Sequence, residues 1–349
     1  MDRRYDIDWV RVVVLGILIF YHAWASFMPF AKSIFMPQNE DFLIPMGILM
    51  SLINIWRIPI LFMISGMGIF FAMQSRNWKQ MVSDRIKRIL LPMFFGFLFI
   101  GPLTAFFSML FYDKELTWYP SLFHLWFLLN ICIYFCVLLP LFVYLQNRPN
   151  NFLFTKLQSI ISLRFGIYIF ALPFLIEALV INPQNYPSYA TTLHGWILGL
   201  ICFTCGFIFV SLKDYFWNAL ENIKQFTLVM AFSLYTYRLL TMELWAPSIF
   251  IAFESFNWMI AILGYSAKYL NQPSKRLGYL SAAVYPIYIL HFPIQYFFSL
   301  YTLSLPTSAF IKFILVVLCV FSVSFIIYEF MIKRLNWLRP LFGMKLKRK

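Results

Sequence analysis

Charge is scarce in this 349-residue chain: Asp, Glu, Lys and Arg make up 12% of it, and only 14 residues are acidic. Soluble domains carry about a quarter charged residues, so a soluble globular protein is excluded. Also absent are a Walker loop, a GxGxxG turn and any ligand spacing suited to a metal, so the ordinary signs of nucleotide hydrolysis, dinucleotide binding and metal catalysis are missing. No internal repeat or low-complexity tract occurs, and QNRPNN at 146–151 is the clearest polar turn. No small-residue cleavage site follows the apolar N-terminal run, which is therefore expected to remain as the first helix rather than act as a signal peptide. The five cysteines, Cys132, Cys136, Cys202, Cys205 and Cys319, all fall in apolar stretches. Cys202 and Cys205 form a CxxC with no second ligand pair, and packing is their expected role.

In place of charge there is apolar surface, with 62% hydrophobic and 21% aromatic residues and a mean hydropathy of +0.76. Ten segments are long enough to cross a ~30 Å hydrocarbon layer at ~1.5 Å per residue. They run over 10–30, 44–73, 89–112, 121–146, 160–181, 191–211, 225–241, 244–265, 277–299 and 308–330. The seventh and eighth are the least distinct, because Arg238 and Glu243 between them could mark an outer turn or a buried ion pair. The expected fold is an all-α integral membrane protein of about ten transmembrane helices, a single multi-pass domain over 1–349. With both termini cytoplasmic, 23 of the 28 Lys and Arg residues fall on the cytoplasmic side, as the bias of basic loops requires. The formal charge of +14 follows mostly from that bias, with some attraction to anionic lipid, and calls for no nucleic-acid partner.

A few ionisable residues fall inside these spans, where each costs several kcal/mol unless paired or hydrated. Arg11 and His22 are eleven residues apart in the first. At ~100° per residue they share one helical face about 16 Å apart along the axis, so a cation near one membrane surface lines up with a base deeper in. A plainer reading leaves Arg11 as an anchor paired with Asp8 and His22 as a satisfied core histidine. Arg57 sits near the middle of the second span, two residues before Pro59, and needs a polar cavity or a partner such as His22 or Glu254. Pro59 should release a backbone carbonyl nearby. Arg85 and Arg88, three apart at the entrance to the third span, put two guanidinium forks on one face, suited to phosphate but equally explained as topological anchors. All four histidines, His22, His124, His194 and His291, fall toward the outer side together with Glu177. Histidine suits proton transfer near neutrality, so one outward cavity could hold a general base; His124 and His194, beside Trp126 and Trp196, also read as interface residues.

The stretches DIDWVRVVVLGILIFYH, WRIPILFMISG, DRIKRILLP, HLWFLLN and YPIYILHFPI together resemble the membrane acyltransferase 3 family, from residue 6 to about residue 295. In these motifs the chain is most similar to the branch containing the periplasmic glucan succinyltransferase. The resemblance implies ten core helices in the cell inner membrane and transfer of an acyl group from cytoplasmic acyl-CoA, acetyl or succinyl, to a hydroxyl of a glycan or lipid-linked sugar. It implies His22 as catalytic base, associates Arg11, Arg85 and Arg88 with the CoA end, and places Arg57 and His291 in further motifs of less settled role. Acyl-CoA is then a co-substrate and no metal is expected; the partners are the lipid bilayer, acyl-CoA and a carbohydrate acceptor. The extra extracytoplasmic esterase-like domain of some members is not expected in this chain. A transporter or flippase of a lipid-linked sugar would also need ionisable groups at the midplane, but usually shows internal repeats or broken helix pairs.

Overall fold

The structure, a computed structural model, describes residues 3–148, 151–242 and 246–347. Glu243, the middle of the QNRPNN turn, Arg348 and Lys349 lie outside the described residues. The described residues form helices and loops, with no strand among them. In chain order the helices are α1 (Tyr5–Ala25), α2 (Gly47–Asn54), α3 (Arg57–Met73), α4 (Trp78–Arg85), α5 (Leu91–Phe95), α6 (Gly101–Phe111), α7 (Trp126–Gln146), α8 (Phe152–Ile161), α9 (Leu172–Ile181), α10 (Leu193–Ser211), α11 (Asp214–Thr241), α12 (Ser248–Tyr269), α13 (Lys275–Thr302) and α14 (Ala309–Ile327). Among the described residues, eight helical stretches are long and apolar enough to cross a membrane: Tyr5–Ala25, Ile44–Met73, Trp78–Phe111, Phe123–Gln146, Leu193–Ser211, Ser248–Tyr269, Lys275–Thr302 and Ala309–Ile332. At the places of the other two expected spans stand Gly166–Ile181, which is shorter, and α11, which carries Asp214, Glu221, Lys224 and Arg238.

Prolines explain three of the places where the helices depart from α geometry. Pro92 and Pro102 each stand just beyond a π turn, Ile86–Leu90 and Gly96–Ile100, that joins α4, α5 and α6 into one run. A proline cannot donate to the carbonyl four residues back, and the ladder widens in the turn before it. Pro59 acts similarly: α2 stops at Asn54, residues 55 and 56 form a turn, and α3 starts at Arg57. The carbonyl of Ile55, denied an amide by Pro59, accepts instead from the hydroxyls of Tyr189 and Ser255, both at 2.8 Å.

The chain forms two compact units, each built from three segments of the sequence. The first comprises the chain up to Arg11, Ile48–Val82 and Asn130–Leu277. In it α3 and α10 cross closely, because a Cβ on Gly66 would overlap the backbone of Phe203 and one on Gly206 the backbone of Met63. Helices α11 and α12 pack side by side, tied by a buried two-pronged ion pair: Arg238 Nε donates to Glu254 Oε2 at 2.7 Å and Nη2 to Oε1 at 3.0 Å. Arg238 therefore takes Glu254 as its carboxylate, and that carboxylate, one of the partners the sequence suggests for Arg57, is engaged on both oxygens. The second unit comprises Val12–Gly47, Ser83–Leu129 and the chain from Gly278 onward. Its polar centre lies among α1, the turn before α7, and α13.

Candidate active site

Three of the four histidines meet in the second unit. His22, in the last turn of α1, places Nδ1 3.0 Å from Nε2 of His291 on α13, with the two rings 8° from parallel. The Nδ1 of His291 lies 2.6 Å from the carbonyl oxygen of Tyr288, one turn earlier on the same helix. The ring centroid of His124 is 4.7 Å from that of His291, and its Nε2 lies 2.9 Å from the same Tyr288 carbonyl. His291 is fully buried and His124 nearly so.

The hydrogen-bond chain fixes the protons. A carbonyl oxygen can only accept, so His291 carries its proton on Nδ1, and in its neutral form presents a lone pair at Nε2. His22 must then donate from Nδ1, which leaves the lone pair of His22 on Nε2. A base held in one tautomer by a neighbour that is itself oriented is the arrangement by which enzymes ready imidazole for proton abstraction. His124 donates from Nε2 by the same reasoning, and its Nδ1 is buried without a hydrogen-bond partner.

Local sequence explains the precision. Pro286 and Pro293 lie inside α13 on either side of His291. Pro293 leaves the carbonyl of Ile289 without its helical amide, so this part of the helix is open to side-chain donors. The last carbonyls of α1 have no intrahelical partners. That of His22 accepts from Nε2 of Gln295 at 2.7 Å, which ties the end of α1 to α13 one turn beyond His291. The Tyr288 hydroxyl donates to the backbone oxygen of His124, closing the set.

The other expected residues stand as follows. Arg11 lies on α1 and its Nη1 donates to Asp8 Oδ1 at 3.3 Å, the pairing of the plainer reading. Arg57 is buried at the first residue of α3, beside the break at 55–56. Arg85 ends α4, while Arg88 lies within the π turn, both partly exposed; the wider turn changes the angle between the two forks from that of an α-helix. His194 belongs to the first unit, where Nδ1 meets Glu177 Oε1 at 2.7 Å and Nε2 meets the carbonyl of Tyr186 at 2.9 Å, all buried. With an acceptor at each nitrogen, this histidine is fully used in fastening the loop before α10. The sequence left its role open between interface and site, and the geometry gives it a structural task.

Tyr288 and Gln295 are the site residues that sequence reasoning missed. Their signal was positional: Tyr288 is three residues before His291 and Gln295 four after it, one helical turn either way.

The acyltransferase domain of the acyltransferase 3 family matches residues 4–329. Comparisons with curated proteins and with solved structures gave no match. With nearly the whole chain matched, and the histidine chain of α1 and α13 inside the matched region, the protein belongs to the acyltransferase 3 family of membrane acyltransferases.

Proposed function

We propose that this protein transfers an acyl group, acetyl or succinyl, from cytoplasmic acyl-CoA to a hydroxyl of a glycan or lipid-linked sugar beyond the membrane, with His22 as general base. The observation that carries the reading is the chain from the Tyr288 carbonyl through His291 to His22, which leaves the basic nitrogen of His22 at Nε2. His22 removes the proton of the acceptor hydroxyl as its oxygen attacks the thioester carbonyl, and the tetrahedral intermediate collapses with loss of the CoA thiolate, which takes a proton. His291 is a positioning residue: it accepts from His22 Nδ1 and stabilises the imidazolium formed when Nε2 takes up the proton. Arg85 and Arg88 hold CoA phosphates, with Arg11 near the same surface. The role assigned to Arg57, stabilising the oxyanion, rests on its family motif.

The reading includes ten spans and cytoplasmic termini in the cell inner membrane. The 3₁₀ turn Gly166–Ala171 and α9 together reach about 27 Å at ~2.0 and ~1.5 Å per residue, close to the ~30 Å layer. The ion pair of Arg238 with Glu254 removes the main charge penalty from the outer part of α11. The similarity of motifs to the glucan succinyltransferase branch points to a periplasmic sugar as acceptor.

Thioester consumption by the purified protein tests the reading. Wild type should release CoA thiol from acetyl-CoA or succinyl-CoA, and His22→Ala should reduce release to background. Turnover in the alanine variant would sink the assignment of the base, and absence of thioester chemistry in wild type would leave transport as the better reading.

A further inference from the structure

Residues 333–347 carry Lys333, Arg334, Arg339, Lys345 and Lys347 and no acidic residue. This segment is folded, and it is seated within the second unit. The 3₁₀ turn Arg339–Phe342 buries Phe342 against Phe95 of α5, ring centroids 5.5 Å apart. Gly343 follows in the left-handed region at φ 68°, where a Cβ would lie 2.8 Å from the carbonyl oxygen of Arg88 and collide with the ring of Tyr285. The Lys347 amide donates to Asn336 Oδ1 at 2.8 Å, and Arg339 donates to the carbonyls of Lys333 at 2.9 Å and Lys345 at 2.6 Å. Arg339 is thus a staple inside the segment, while Arg334, Lys345 and Lys347 stay exposed.

Anchoring at a membrane surface asks only for a number of cations near it. It does not require a left-handed glycine, a buried phenylalanine or a guanidinium staple. Those features hold the cationic segment against the turn that carries Arg88, and against α13 six residues before His291.

We infer that residues 333–347 form the second half of the donor site: Lys345 and Lys347 join Arg88 in binding the phosphates of a nucleotide-bearing thioester. The inference rests on the reading of Arg85 and Arg88 as CoA-phosphate ligands.

The test is calorimetric titration of CoA into the full-length protein in phosphatidylcholine nanodiscs. The double variant Lys345→Gln/Lys347→Gln, altered only at exposed positions, should raise Kd about tenfold, the order for one lost charged hydrogen bond. Gly343→Val keeps every charge but cannot seat the segment; it should weaken CoA similarly and speed trypsin cleavage at Lys345 and Lys347. If Arg85→Gln/Arg88→Gln weakens CoA while both segment variants bind normally, the inference fails and the donor reading stands. If the Arg85/Arg88 variant binds CoA as well as wild type, or wild type does not bind it, both fail. Segment variants that bind CoA normally in phosphatidylcholine nanodiscs and lose thermal stability relative to wild type only in nanodiscs containing phosphatidylglycerol would make the segment a lipid contact and overturn the inference.

Discussion

At the scale of single residues, the contrast between His291 and Arg238 shows how buried polarity serves two ends. His291 has one nitrogen on a backbone carbonyl and the other on His22, so on the proposed reading its removal alters the readiness of a base more than the packing. His291→Asn should lower kcat at least tenfold and shift the pH dependence of turnover, with little effect on donor KM; an unchanged pH profile would reduce His291 to a packing residue. Arg238 is enclosed with Glu254 in a buried ion pair. Arg238→Ala should destabilise the protein by about 3–5 kcal/mol by leaving a carboxylate buried alone, and Arg238→Met with Glu254→Leu should recover most of that in thermal unfolding. A double variant as unstable as the single one would contradict this account.

At the scale of elements, the prolines decide where side chains replace backbone amides. The Ile55 carbonyl depends on Tyr189 and Ser255 because Pro59 offers no amide. Tyr189→Phe should cost about 1–2 kcal/mol in the wild-type background and less with Pro59→Ala, which restores the helical donor. Equal costs in the two backgrounds would show that the hydroxyl is not substituting for that amide. The π turns before Pro92 and Pro102 follow the same logic, and the first of them sets the angular spread of Arg85 and Arg88.

At the scale of the whole molecule, the prediction concerns sidedness. On the proposed topology Arg11 lies near the inner end of α1, and His22 lies about three turns further along it. Donor and acceptor should therefore be used from opposite faces. In sealed vesicles of defined orientation, with acyl-CoA confined to the cytoplasmic face, an impermeant acceptor should give product only from the outer side. Product formed only when both substrates share the cytoplasmic face would rule out transfer through the membrane.

Class and site were partly legible before any coordinates, and the reason is energetic. A residue such as His22 or Arg57 in a 20-residue apolar run violates a strong local rule, and such violations mark functional or paired groups from the sequence alone. Composition and hydropathy likewise determined that the chain is helical and membrane-embedded, and Pro59 foretold a released carbonyl. Other matters depend on contacts between segments far apart in the chain. Nothing local separates His124, which joins the His22 cluster, from His194, which is consumed by Glu177 and a loop carbonyl. The pairing of Arg238 with Glu254, the seating of Gly343 on Arg88, and the tautomer of His22 are equally long-range. A hydrogen bond between residues 269 positions apart leaves no periodic trace in sequence, and only the tertiary structure decides it.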